Sequence, residues 1–328
     1  MALPLIRLQP FYPGQMGVDG SDTPRGLRSQ SAGIVLFVDN GHPNANAVND
    51  GTDPENPVST IAAAMARLVV WHALSSTPAE GSVIVISPGV YTDNITIANA
   101  TYPEDCTILG AANGKHAVIW RPATGDALVI DQGGWMVDGI HFQSSATGAG
   151  VKLTRDAGEG GEDATIQNCF FDGRWGTGQS GIEFEGCPAN VTIQNCRFAE
   201  FDASSPCITI TNTGTALPYQ THIFGCTFQE CAEYIHSGIY GWNVSIIAGN
   251  FFVSAGGALA ATTEYIDLGA GGQGYNQVVG NYFSGDYSNT GGYTAHANAL
   301  DNWVGNFAQD VAEAEVGDNG ITIAEPAA

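Results

Sequence analysis

Positive charge is what this sequence lacks most. It has 10 Lys plus Arg against 33 Asp plus Glu, a net charge of −23 over 328 residues. A phosphate backbone is gripped by clustered Lys and Arg, so nucleic acid is not an expected partner. Helix-length amphipathic stretches are nearly absent too, which excludes the βαβ and bundle classes. No run approaches the ~20 apolar residues of a membrane span. The start, Met1-Ala2-Leu3-Pro4-Leu5-Ile6-Arg7, lacks the basic segment and unbroken apolar core of a signal peptide, so synthesis in a reducing cytoplasm is expected. The seven cysteines form no zinc-type CxxC pair. Asp39, Asp50, Asp53 and Glu55 cluster, but their spacing does not fit an EF-hand loop. Neither metal nor cofactor is expected.

What is present is one short phrase written seven times. It reads Val137-Asp138-Gly139-Ile140-His141-Phe142 and then Ile166-Gln167-Asn168-Cys169-Phe170-Phe171. It returns in the segments that carry Cys196, Cys226, Asn250 and Asn281 at its fourth position. It ends as Trp303-Val304-Gly305-Asn306-Phe307-Ala308. The fourth position steps from Ile140 to Cys169, Cys196, Cys226, Asn250, Asn281 and Asn306 at intervals of 29, 27, 30, 24, 31 and 25. Periods of this size mean stacked units. Each copy has an apolar strand before it, such as Val151-Lys152-Leu153 or Ile182-Glu183-Phe184, and little between them is long enough for a helix. Short strands joined by turns, with no crossover helix, stack as a solenoid of parallel strands about 4.8 Å apart. The fold class is therefore all-β, a single-stranded parallel β-helix. Ile140, Cys169, Cys196, Cys226, Asn250, Asn281 and Asn306 should form an inward ladder, with Asn amides bonding rung to rung and a Phe stack beside them.

Residues 34–308 form the solenoid in this reading. Ser59 or Thr60 caps one helix from Ile61 to about Leu74, with Ile61, Met65, Leu68 and Val69 on its apolar face, able to cover the solenoid's first strand. Residues 1–33 are rich in Pro and Gly yet carry Leu3, Leu5, Ile6, Phe11 and Tyr12, and they read as an extended arm that docks on a neighbour, with a disordered leader the alternative. Residues 309–328 are an acidic stretch and a final strand, Ile321-Thr322-Ile323, closing the end or pairing with another subunit.

If the second strands stack in register, Lys152, Glu183, Thr209, His236 and Asp267 share one outward line, with Glu185 beside Glu183. A carboxylate pair on a groove can cleave glycosides, and His236 beside Asp267 can act as a base. The plainer reading is a solvated face with cross-strand charge pairs such as Lys152 with Glu183. Trp175, in a Gly-rich loop, is a residue type that stacks on sugars or simply packs a loop. Arg155, Arg174 and Arg197 lie at turns or beside ladder strands, with no Asp cluster expected on the aligned strands.

Phe37-Val38-Asp39, Asn49-Asp50-Gly51-Thr52, Pro57, Thr60-Ile61-Ala62-Ala63-Ala64, Ile84-Val85-Ile86-Ser87-Pro88-Gly89-Val90-Tyr91 and Asn94-Ile95-Thr96-Ile97 together resemble the opening of pectin-lyase-like right-handed parallel β-helix proteins. The resemblance spans about residues 34–308. It implies the right-handed fold, and a superfamily that holds lyases, hydrolases, esterases, phage tailspikes and noncatalytic virion proteins. The wording from Asn40-Gly41-His42-Pro43 to Gly51-Thr52-Asp53-Pro54 looks like bacteriophage β-helix proteins. The Gln-Asp-Thr-Leu segment of pectin methylesterases is absent, as are the Asn-Thr-Asp, Asp-Asp, Gly-His-Gly and Arg-Ile-Lys motifs of polygalacturonases. The expectation is a noncatalytic structural protein of a virion, in head, fibre or tail. Its partners would be capsid, portal or tail proteins and copies of itself, with a trimer the arrangement such proteins suggest. A glycan-degrading or glycan-binding β-helix, and a self-assembling surface or filament protein, are the alternatives.

Overall fold

In the computed structural model the described residues are 33–74, 79–111, 116–145, 147–155, 160–175, 180–201, 205–211, 217–237, 239–253, 264–269, 274–285, 300–310 and 321–322. The arm residues Leu3, Leu5, Ile6, Phe11 and Tyr12 lie outside them. Three sheets run the length of the chain. The first has ten strands, from Val35–Val38 at one edge to Asn302–Val304 at the other. The second follows it in each coil and runs from Gly89–Tyr91 to Phe307–Asp310. The third has seven strands, from Ile95–Ala98 to Glu264–Ile266. Neighbours within a sheet come from successive coils and pair in parallel without slippage. Val137 sits over Ile166, Ile166 over Ile193 and Ile193 over Ile223. Ile321–Thr322 departs from this, pairing antiparallel with Phe307 and Ala308 at the end of the second sheet. The fold is the parallel β-solenoid that the repeat and the resemblance imply.

Alternation decides what faces inward. Phe142, Phe171, Phe198, Phe228, Phe252 and Phe283 are all fully buried. Their rings stack with centroids 5.2, 4.8, 4.8, 4.7 and 4.9 Å apart and planes within 10°. Such pairs add roughly 1 kcal/mol each beyond the area they bury. The inward ladder is also as read. Cys169, Cys196 and Cys226 are buried free thiols that donate to the carbonyls of Gln167, Gln194 and Phe224. Burial pushes the Cys169 and Cys196 thiols well above their ordinary range. They therefore act as small apolar groups. The Asn rungs are tighter. Asn281 Oδ1 accepts both the backbone N–H (3.0 Å) and the amide (3.0 Å) of Asn250. Asn306 Oδ1 does the same for Asn281, at 3.0 and 2.9 Å.

The helix spans Ile61–Ala73, with the Thr60 side chain accepting from the Ala63 N–H. Its buried face is Ile61, Ala64, Met65 and Leu68, so Ala64 takes the place expected of Val69. These side chains join the same core as Leu36 and Val38 of the edge strand.

Most coils turn two corners around the first sheet with a residue at positive φ. The corner after the strand uses Gly139, Asn168, Asn195, Gly225, Gly249, Gly280 and Gly305. The corner before it uses Gly81, Asp105, Gly134, Asp163, Asn190, Gln220, Val244 and Tyr275. Gly, Asn and Asp enter this region at little cost; a β-branched residue does not. Val244, at φ 50°, is therefore strained, and half-exposed besides. Replacing it as Val244→Asn is expected to stabilise the fold by about 1 kcal/mol. A urea titration checks this; a midpoint that stays or falls would show the corner is not strained.

Candidate functional site

Two outward clusters carry the ionisable groups of the central coils. The third-sheet strip was legible in the sequence. Lys152 pairs with Glu183, Glu183 with Thr209 and Thr209 with His236 in register. Lys152 Nζ lies 3.2 Å from Glu183 and 2.9 Å from Glu185. Burial alone would lower the Lys152 ammonium, but the hydrogen bonds and charges of Glu185 and Glu183 outweigh it and raise it. Thr211 Oγ1 donates to Glu183 Oε1 at 2.6 Å. Asp126, at the head of the strip, is held above the ordinary carboxyl range by burial, against the Ala149 N–H it accepts.

The lower end of the strip differs from the expected open line. His236 Nδ1 does approach Asp267, at 3.5 Å, and also Glu233, at 3.5 Å. Asp267, however, is buried, because its Oδ1 turns to accept the Gly269 N–H at 2.8 Å and closes a turn. Thr209 is buried as well. The strip is thus a run of charge pairs that ends in a capped turn. The side chain of Trp175 falls outside the described residues.

The second cluster was not legible in the sequence. On the second sheet His141 lies over Phe170, and Gln143 over Asp172. These outward positions flank the stacked phenylalanines, where the repeated phrase tolerates any residue. Asp172 is fully buried and accepts from Arg174 three times: from the backbone N–H at 3.1 Å, Nε at 3.0 Å and Nη2 at 2.8 Å. His141 Nε2 stands 3.4 Å from the same carboxylate. Glu200 reaches Arg174 Nε at 3.4 Å. Arg197 lies 5.2 Å from the Phe170 ring centroid and donates to Gln229 at 2.8 Å. His116 meets His141 and Phe170 edge-on, at 5.2 and 4.8 Å. Burial lowers the His116 imidazole, as does the nearness of His141. Arg174 thus meets one Asp and one Glu, not a cluster of Asp residues. A signal existed: His141, Phe170 and Arg197 form one column and Gln143, Asp172 and Ala199 the next, once the two flanks of each Phe are stacked.

An imidazole held against a buried carboxylate is a base-like arrangement. Here the carboxylate is already neutralised by a bidentate guanidinium, so the group is also a closed ionic pin. His141 Nδ1 and Gln143 Oε1 are buried here without a hydrogen-bond partner. Elsewhere Asp39, Asp50 and Asp53 each accept backbone N–H groups of their own turns. Among the described residues no group of three or more His, Cys, Asp or Glu side chains converges as a metal site. No helix among them is long and apolar enough to cross a membrane.

Comparison with known proteins finds no matching family model and no matching curated protein. Several solved structures share the general shape. The pectate lyase Pel9A is 15% identical, with a TM-score of 0.49, covering 87% of this chain and 79% of that one. An alginate lyase from Paenibacillus sp. str. FPU-7 is 14% identical, with a TM-score of 0.41, covering 73% and 95%. The tailspike gp49 of Acinetobacter baumannii bacteriophage Fri1, a capsular polysaccharide depolymerase, is 10% identical, with a TM-score of 0.44, covering 86% and 60%. The architecture stands on the strand register described above, and none of these likenesses assigns an activity.

Asp172 supplies the test of the second cluster. Burial would raise its carboxyl, but the hydrogen bonds from His141 and Arg174 pull it well below the usual carboxylate range. A depressed folded-state value means its contribution is complete above the unfolded value of about 3.9 and is lost as pH falls further. Asp172→Asn should cost roughly 1–3 kcal/mol at pH 7 and flatten the acid limb of the stability curve below about pH 4. Urea midpoints of both proteins across that range check it; parallel curves would show that Asp172 is not the group responsible.

Proposed function

We propose that this chain is a noncatalytic structural protein of a bacteriophage particle, a β-solenoid joined to its neighbours through residues 1–33. The observation that carries the reading is the state of the outward carboxylates. Glu183 and Glu185 share Lys152, and Asp172 is closed onto Arg174 and His141. Glycoside cleavage needs two carboxyls facing one another across room for a sugar, one protonated and one ionised. Ion-paired carboxylates serve the coil-to-coil contact instead. The phage assignment rests on the resemblance of the Asn40–Pro54 wording, and the arm is apolar yet rich in Pro and Gly. Its partners on this reading are capsid, portal or tail proteins and further copies of the chain, with a trimer the arrangement that phage β-helix proteins suggest. Deleting residues 1–33 is expected to leave a soluble solenoid with an unchanged melting curve that no longer joins particles. Normal incorporation of the truncated chain would reject the arm's role.

A second reading, glycan contact or cleavage, is favoured by one observation: His141 is held beside a buried Asp172 on an outward face, with the Nδ1 atom unpartnered. Incubation with plant and bacterial polysaccharides, following unsaturated products and reducing ends, separates the two. No product is expected. Cleavage that disappears in Glu183→Gln would overturn the structural reading in favour of the third-sheet strip.

A further inference from the structure

The outward surface changes character along the axis. Through the central coils it carries the ion pairs described above. On the first and second sheets of the last four coils the described outward positions carry no acidic side chain, and apolar rows stand beside His222, Gln277 and Asn302. Phe224, Ala248, Val279 and Val304 stand in register on the outer face of the first sheet. Phe251, Tyr282 and Phe307 do the same on the second, with the Phe251 and Tyr282 rings 5.9 Å apart. Phe251, Val304 and Phe307 are 53%, 51% and 49% exposed.

The corner between these rows is bare. Two earlier coils fill its positive-φ position with Asn168 and Asn195, while Gly139 and Gly225 hold it in two others. The last ones use Gly249, Gly280 and Gly305, where an added Cβ would meet nothing within 4 Å. Backbone conformation does not demand glycine there, since Asn serves two coils earlier. Glycine does leave the backbone open to close approach. The opposite corner follows the same trend: Val244 and Tyr275 replace the acidic, amide and glycine residues of earlier coils, despite a backbone region that disfavours Val. An exposed apolar residue kept at a strained position marks a surface with a use beyond the isolated chain.

We propose that this apolar face is where a second copy of the chain packs, the two solenoids lying side by side along their axes. The proposal deepens the structural reading above and rests on it. Two chains of net charge −23 repel over most of their surface, and the described residues of this face bring no carboxylate to the contact. The rows repeat at the strand spacing of about 4.8 Å, so two copies present the same corrugation to each other. Four coils make a face about 19 Å long, and its width, two strands with their corners, is about 30 Å. That is on the order of 600 Å² per copy, under the roughly 800 Å² of a standard stable interface. Association should therefore depend on concentration unless several such contacts close a ring.

The full chain is examined by sedimentation over a range of concentrations, beside three variants. The wild type should move from single-chain mass to a defined multiple. Phe251→Glu combined with Tyr282→Glu should weaken association by at least about tenfold while the melting curve stays unchanged. Thr96→Glu, exposed on the third sheet, should associate as the wild type does. Removal of residues 1–33 should also leave association intact. A wild type of single-chain mass throughout, or association indifferent to the Phe251 and Tyr282 charges, overturns the proposal. So does its loss in the truncated chain alone, which would make the arm the occupant of the face. Polysaccharide cleavage, by contrast, would strike the structural reading and leave this mass measurement to stand or fall separately.

Discussion

Turning a corner in register is the constraint on which this molecule depends. At most bends around the first sheet one residue sits at positive φ, and at many of them its N–H donates to a carbonyl on the next coil. Asn168 donates to Gln194, Asn195 to Phe224, Gly249 to Val279 and Gly280 to Val304. The coil cannot bend there without the neighbouring coil bending at the same place, because the freed backbone groups are buried and need partners. A slip of one residue would turn the whole inward face outward. The Asn rungs add a side-chain lock, since one amide oxygen accepts both the backbone and the side-chain N–H of the rung beside it. The Phe stack follows two residues later and inherits the register that the corner sets.

Much of this was legible because the corner forces particular residue types to recur. Cys169, Cys196, Cys226, Asn250, Asn281 and Asn306 are small or amide-bearing, and every copy carries an apolar residue three places before them. The other corner was not legible, though it is as regular in space. Its inward column runs through Cys106, Trp135, Ala164, Val191, Thr221, Ser245, Asn276 and Asp301, residues with no shared chemistry. Only in the structure does its last part emerge as a ladder, with Asp301 Oδ1 accepting the N–H and amide of Asn276, and Asn276 Oδ1 accepting the N–H of Ser245. A stacking position needs only a side chain that fits and is satisfied, so volume can vary along it in a way that a periodic search does not detect.

Site chemistry was legible only where charge alternated along a strand. Lys152 and Glu183 stood out because each sits between two apolar residues. Asp172 and His141 did not, since they flank an aromatic within the repeated phrase and Arg174 lies in the following turn. Their burial on an outward face depends on that turn folding back, which spacing alone does not encode. The buried end of the third-sheet strip has a similar cause: Asp267 caps its own turn through Gly269, a local hydrogen bond that overrides the outward direction implied by period two.

The central claim is that side-chain amides on adjacent coils act as one unit that fixes the bend. A double-mutant cycle on Asn250 and Asn281, each replaced by Ala singly and together and unfolded in urea, measures it most directly. Coupled rungs predict an interaction of about 1 kcal/mol or more between the two substitutions, because each alone leaves the other with unsatisfied buried groups. Single costs that add to within about 0.3 kcal/mol would contradict the account.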